Sequence, residues 1–194
     1  MRQMMKLVTK HTNEVNEGKL TVCRTEGPLE DLAFEIAEEL TANGERLVVV
    51  DAAGCFDPSR ISRAAATVAQ NLHVIRASNS GDLQTTLWFT LQAAQERMQA
   101  RRILIAGMLD HLYGRDMLTR DAARALGRMK LVLEALTRSG LEVMVVCKAE
   151  QADLGARTYL LSSLCASAHE VRSWQGGGPL AAQQYIDGAS AAIA

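Results

Sequence analysis

The sequence predicts an α/β protein with a mostly parallel central sheet flanked by helices and a C-terminal antiparallel hairpin. Three observations carry this expectation. Short apolar runs alternate along the chain with stretches whose apolar residues recur at helical spacing. Leu47-Val48-Val49-Val50 is unbroken and aliphatic, the pattern of a strand buried on both faces of a parallel sheet. Aromatic residues make up only 4% of the 194 residues, which suits aliphatic layers rather than an aromatic-rich sandwich.

Residues 1 to 18 are polar, mixed and without period, and read as a short leading segment. Lys19 to Cys23 reads as the first strand, turning at Thr25-Glu26-Gly27-Pro28 into a helix. Leu29, Leu32, Phe34, Ile36, Ala37 and Leu40 supply that helix's apolar face, and Asn43-Gly44 ends it. The Leu47–Val50 strand stops at Asp51. After a loop through Gly54 and Pro58, a helix over Ile61 to Gln70 leads to the strand Leu72 to Arg76 and a polar turn at Ser78-Asn79-Ser80-Gly81. A helix from Leu83 to Gln99 precedes the strand Ile103 to Ala106. A long helix from Arg120 to Ser139 precedes the strand Leu141 to Val146. His169 to Trp174, a Gly176-Gly177-Gly178-Pro179 turn and Ala182 to Ile186 form the expected hairpin, and 189 to 194 a frayed tail.

The length favours one domain, expected over 19 to 188. Twenty-one basic against 22 acidic residues give a net charge of −1, so no global field draws the chain to nucleic acid or an anionic membrane. No apolar stretch approaches the roughly 20 residues that span a bilayer, and the N-terminus lacks an apolar signal core, so the expected location is cytoplasmic. Cys23, Cys55, Cys147 and Cys165 form no CxxC pair and suit reduced core positions. His11, His73, His111 and His169 are scattered without ligand spacing, so no metal and no cofactor is expected.

The string Val49-Val50-Asp51-Ala52-Ala53-Gly54-Cys55-Phe56-Asp57-Pro58-Ser59-Arg60-Ile61 resembles I-D-T-E-G-x-F-x-P-x-R-I, which RecA/RadA-type recombinases carry after their Walker A helix. Asn71-Leu72-His73-Val74-Ile75-Arg76-Ala77-Ser78-Asn79-Ser80 is similar to that family's N-I-x-x-x-R-A-x-N-S stretch, and Ile103 to Tyr113 falls where its Walker B strand runs. With the terminal hairpin, these segments cover most of the chain from Lys19 to Asp187. The resemblance implies a RecA-like core, nearest the recombinase-paralogue branch of the superfamily.

The departures fall on the residues that would carry ATP chemistry. A P-loop, G-x-x-x-x-G-K-[ST], cradles phosphates with backbone N–H groups while its Lys neutralises them and its hydroxyl holds Mg²⁺. Here the turn from Thr25 through Gly27 and Pro28 sets Glu30 for the second Gly, Asp31 for the Lys and Leu32 for the hydroxyl. Carboxylates facing a triphosphate repel it. The family's water-activating Glu corresponds to Ala53, and its metal-supporting Walker B Asp to Gly107 or Ala106. The resemblance therefore implies degenerate Walker A and Walker B motifs on an ATPase fold, with Asp51 left at a strand end.

Asp51 and Asp110 are candidates for a carboxylate pair at the sheet edge, an enzyme reading set against helix capping or pairing with Arg60 or Arg115. Phe34-Glu35-Ile36-Ala37 matches the F-x-x-A plug of recombinases, yet it lies in the first core helix, where Phe34 and Ala37 share the apolar face. Arg97, Arg101, Arg102, Arg115, Arg120, Arg124, Arg128 and Lys130 concentrate positive charge around two helices, diluted by Asp110, Asp116 and Asp121.

The family's two DNA-holding loops correspond to His111–Arg120 and Lys148–Leu161. The second has two acids among few bases and Tyr159 as its aromatic, so direct DNA binding is expected to be weak or absent. In the first, Leu112, Tyr113, Met117 and Leu118 are apolar for a surface loop. With Arg115 and Arg120 they make a candidate interface or DNA-facing loop, unless they tuck under the following helix.

The resemblance thus implies a pseudo-ATPase: a regulatory or accessory subunit that contacts a RecA/RadA-family ATPase or another repair protein, with self-association a further outcome of retained assembly faces. The alternative is a cell-division inhibitor resembling SulA, which acts on the tubulin-like division protein.

Overall fold

A computed structural model of the chain describes residues 18–93, 99–113, 117–149, 158–174 and 185–186. The elements run β1 Leu20–Thr25, α1 Leu29–Thr41, β2 Leu47–Asp51, α2 Pro58–Arg63, α3 Ala66–Asn71, β3 Leu72–Arg76, α4 Ser80–Ala93 and β4 Arg102–Ala106. A 3-10 turn at Asp110–Leu112 leads to α5 Thr119–Arg138, β5 Glu142–Lys148, α6 Thr158–Cys165, β6 Glu170–Trp174 and β7 Tyr185–Ile186.

The strands lie in the order β3-β2-β4-β5-β1-β6-β7. The first six are mutually parallel, with Val49 opposite Val74 on one side and Leu104 on the other, and Cys23 opposite Val146 and Arg172. Parallel neighbours require crossovers, and helices supply them on both faces. Alternation along the strands then divides the core in two. Val22, Val48, Val50, Ile103, Ile105, Val143 and Val145 pack with Leu83 and Leu87 of α4, Leu126, Met129 and Leu133 of α5, and Leu160 and Leu164 of α6. Cys23, Leu47, Val49, Leu104 and Val146 pack with Leu29, Leu32, Phe34, Ile36 and Ala37 of α1. Phe34 and Ala37 are buried there, tilted against Phe56 in the case of Phe34.

Several boundaries differ from the sequence reading. The helix expected over Ile61–Gln70 is two short helices, because Ala64 and Ala65 adopt extended backbone between them. The break lets Val68 bury while α3 docks on α1. α4 begins at Ser80 rather than Leu83. Asn79 Oδ1 accepts from the N–H groups of Gly81 and Asp82, so the polar turn is the helix's own cap. Thr158–Leu161, expected within a loop, opens α6, whose Leu160 and Leu164 bury one turn apart.

β7 pairs antiparallel with β6 through Val171–Ile186 and Arg172–Tyr185. The turn expected at Gly176–Pro179, residues 1–17 of the leading segment and the 189–194 tail lie outside the described residues.

Candidate functional site

In a parallel sheet, loops leaving the C-terminal strand ends form the natural binding edge. Here that edge is built by the β1–α1 turn, the loop after β2, the turn after β4 and the last residue of β5.

Only Glu26, Gly27 and Pro28 separate β1 from α1. A G-x-x-x-x-G-K-[ST] loop runs six residues before its lysine, and Pro28 has no N–H to offer a phosphate. Thr25 closes the turn: its Oγ1 accepts from Gly27 N–H at 2.9 Å, and its carbonyl accepts from Ala149 N–H at 2.7 Å. The indole of Trp174 lies over it, so that a Cβ on Gly27 would stand 3.2 Å from Cζ3.

The residues aligned with the P-loop's end sit in the first turn of α1. They do not share one orientation. Glu30 lines the edge cleft, Asp31 turns outward to Arg60 at 2.9 Å, and Leu32 is fully buried in the core. Leu32 is therefore a packing residue and does not face the cleft. Arg60 also stacks 4.6 Å from the centre of the Phe34 ring.

Asp51, the last residue of β2, is buried. Its carboxylate accepts from Cys55 N–H at 2.9 Å and Phe56 N–H at 3.1 Å, while Arg76 Nε stands 4.0 Å away and Arg76 Nη2 donates to the Phe56 carbonyl. The expected alternatives of Arg60 or Arg115 are corrected in part: Arg76 is the partner, Arg60 belongs to Asp31, and Arg115 lies outside the described residues. Asp51 folds the 52–57 loop back on itself and is absent from the cleft lining.

Ala53 and Gly107 meet. A Cβ at Gly107 would lie 2.3 Å from Ala53 Cβ, and Gly107 holds φ +73°, so a side chain is excluded there on two grounds. Ala106, the other residue considered for the Walker B position, is fully buried in the α1-side core.

Between these loops is a cleft of about 440 Å³ lined by Glu30, Ala53, Cys55, Arg60, Asp110 and Lys148, among others. Asp110, the other member of the candidate carboxylate pair, reaches the cleft without Asp51, because the chain turns at once into the 3-10 helix after β4. Burial holds the Asp110 carboxyl above the usual carboxylate value, against the opposing pull of Lys148 and His111, and its Oδ1 has no hydrogen-bond partner among the described residues. Burial likewise pushes the Cys55 thiol up to about 12, helped by the nearby Asp51.

Lys148 was missed as a site residue. Its signal was its place at the end of an apolar strand run, where parallel sheets put their functional groups. Acids and bases mix in this cleft, and among the described residues no group of three or more His, Cys, Asp or Glu is placed to hold a metal ion.

Of the two outcomes expected for the loop after β4, an apolar interface or residues tucked under the following helix, Leu112, Tyr113 and Met117 take the second. Leu112 is fully buried, and Tyr113 and Met117 pack against the α5-side core, because the 3-10 turn folds them beneath α5. Leu118 and Arg120 are exposed.

This sheet order with helices on both faces defines the class: the chain has a RecA-like α/β fold. Among solved structures 386 chains match. One is the crystal structure of the RadB recombinase, with a TM-score of 0.60 and 13% identity over 82% of this chain and 75% of that one. No protein-family model and no curated protein matches the sequence. Among the described residues, no helix is long and apolar enough to cross a membrane.

Proposed function

We propose that this chain is a catalytically inactive RecA-like protein, a cytoplasmic regulatory or accessory subunit that works through protein contacts in DNA recombination or repair. What carries the reading is the closed phosphate end of the edge: three residues between β1 and α1, one of them proline, beneath the Trp174 indole. A triphosphate needs several inward N–H groups and a cation at that place. Of the three residues aligned with the P-loop's end, the one offered toward the cleft is Glu30, with Asp31 tied to Arg60. The Ala53–Gly107 contact adds that neither a general base nor a metal-supporting carboxylate stands at the two other positions the recombinase resemblance marks.

The link to recombination rests on the segments resembling RecA/RadA proteins and on the RecA-like fold shared with RadB. The partner class is a RecA/RadA-family ATPase or another repair protein, since a copy without turnover can keep assembly faces.

The test is the melting temperature with and without millimolar ATP–Mg²⁺. A nucleotide present at 100 times its Kd stabilises by about 2.7 kcal/mol, an easily read shift. No shift is the expected result. A clear shift means that a nucleotide site exists and overturns the inactive reading.

A further inference from the structure

We propose that the shared outer face of α4 and α5 is a docking surface for an acidic amphipathic helix of a partner protein; this rests on the reading that the chain acts through protein contacts. α4 buries Leu83, Leu87 and Thr90 against the sheet layer. At about 100° per residue, Trp88 and Phe89 then fall on the opposite side of the helix. They are 53% and 60% exposed, unusual for two adjacent aromatics in a chain that is only 4% aromatic.

α5 packs beside α4 on the same sheet face. Its own buried set, Ala122, Ala125, Leu126, Met129 and Leu133, turns Arg120, Arg124, Arg128 and Leu131 outward in one stripe. Leu131 is 66% exposed. Lys130, on the flank of that stripe, bonds to Ser163 of α6. The other flank therefore faces α4, and Arg128 lies on that side.

Charge complementarity selects the occupant. The three arginines recur every four residues, about 6 Å apart along the axis, the spacing of carboxylates at i and i+4 on a second helix. Asp121 is the carboxylate near them, 3.7 Å from both Arg120 and Arg124, and Arg128 has no ion pair among the described residues. Trp88, Phe89 and Leu131 supply the apolar contact such a helix needs. A nucleic-acid strand fits less well, because Leu131, 66% exposed at the end of the arginine stripe, offers no flat face for a base to stack on and is matched by an apolar side chain of a helix.

The probe is a fluorescein-labelled amphipathic helical peptide with leucines along one face and glutamates flanking them, titrated into the full chain. Its glutamine analogue and a single-stranded oligo-dT serve as competitors. The expected result is saturable binding that rising salt weakens, with a blue shift of tryptophan emission that Trp88→Phe removes. Arg124→Glu and Arg128→Glu, each on an exposed position, should weaken binding by about tenfold through like-charge repulsion. Leu131→Glu gives a second variant, and circular dichroism melting verifies that each stays folded.

No binding, equal binding of the glutamine analogue, preference for oligo-dT, or sedimentation showing a dimer that Arg124→Glu dissociates would each overturn the acidic-helix assignment. ATP binding would sink the inactive-ATPase reading and leave this peptide result standing by itself, so the two failures are told apart.

Discussion

Ala53 occupies the space that a side chain at residue 107 would need. The 2.3 Å separation between Ala53 Cβ and an added Cβ at Gly107 is far inside van der Waals contact, and φ +73° at Gly107 disfavours any L side chain independently. The loop after β2 and the turn after β4 are thus locked together, with Ala52 N–H donating to the Ala106 carbonyl beside them.

Gly107→Ala should destabilise the fold by about 2–3 kcal/mol, from the left-handed backbone and the clash together. In the double variant Ala53→Gly/Gly107→Ala the clash is relieved and the backbone cost remains. Denaturant unfolding of all four proteins in a double-mutant cycle reads the difference as a coupling energy. Additive losses would mean that the two residues do not press on each other.

Asp51 acts on the same loop from beneath. Asp51→Asn places an amide NH₂ where a carboxylate oxygen now accepts from Cys55 or Phe56, leaving a buried N–H without an acceptor at a cost of about 1–3 kcal/mol. Hydrogen exchange should accelerate at the Cys55 and Phe56 amides before the rest of the sheet responds. Unchanged protection at those two amides would show that Arg76, through its bond to the Phe56 carbonyl, holds the loop unaided.

Much of the sheet was legible because its strands are buried on both faces, which leaves continuous aliphatic runs such as Leu47–Val50 and Ile103–Ala106 with no competing helical period. α1 and α5 were legible for the complementary reason, a clean apolar stripe. The break at Ala64–Ala65 was not, since alanine favours helix and the turn is imposed by burial of Val68. α6 was missed because it spans only about two turns, and the resemblance assigned its first half, up to Leu161, to a loop. At the site, sequence order alone put Glu30, Ala53 and Gly107 shortly after the ends of β1, β2 and β4. Leu32 facing the core was legible in the apolar stripe of α1 and outweighs its alignment with the P-loop hydroxyl, whereas Asp110 facing the cleft and Trp174 covering Gly27 depend on contacts between residues far apart in sequence, which no local pattern encodes.

The cysteines give a chemical reading of the core. Burial pushes the Cys23 thiol up to about 12 and raises Cys147 as well, with Cys55 also near 12. Thiolate is the reactive form, so these three should resist a disulfide-exchange reagent at about pH 8 in the native protein and react together on unfolding. Cys165, half-buried, is the one expected to label earlier. Rapid native labelling of Cys55 would show that the 52–57 loop opens on its own.

Asp110 yields a pH-dependent prediction with a defined sign. Burial raises its folded-state value above the ordinary 3.8, so ionising it costs stability. That cost is complete once the pH exceeds the folded value, and it vanishes as the pH falls below 3.8. Asp110→Asn removes the charge while keeping the shape. It should raise stability near pH 7, because no charge is then held against its desolvation by burial. Below about pH 4 the variant and the parent should melt together, because the parent carboxyl is then protonated. Paired thermal melts across that interval decide the matter. A variant less stable near pH 7 would mean that the attraction of Lys148 outweighs burial, and that the cleft holds its carboxylate charged.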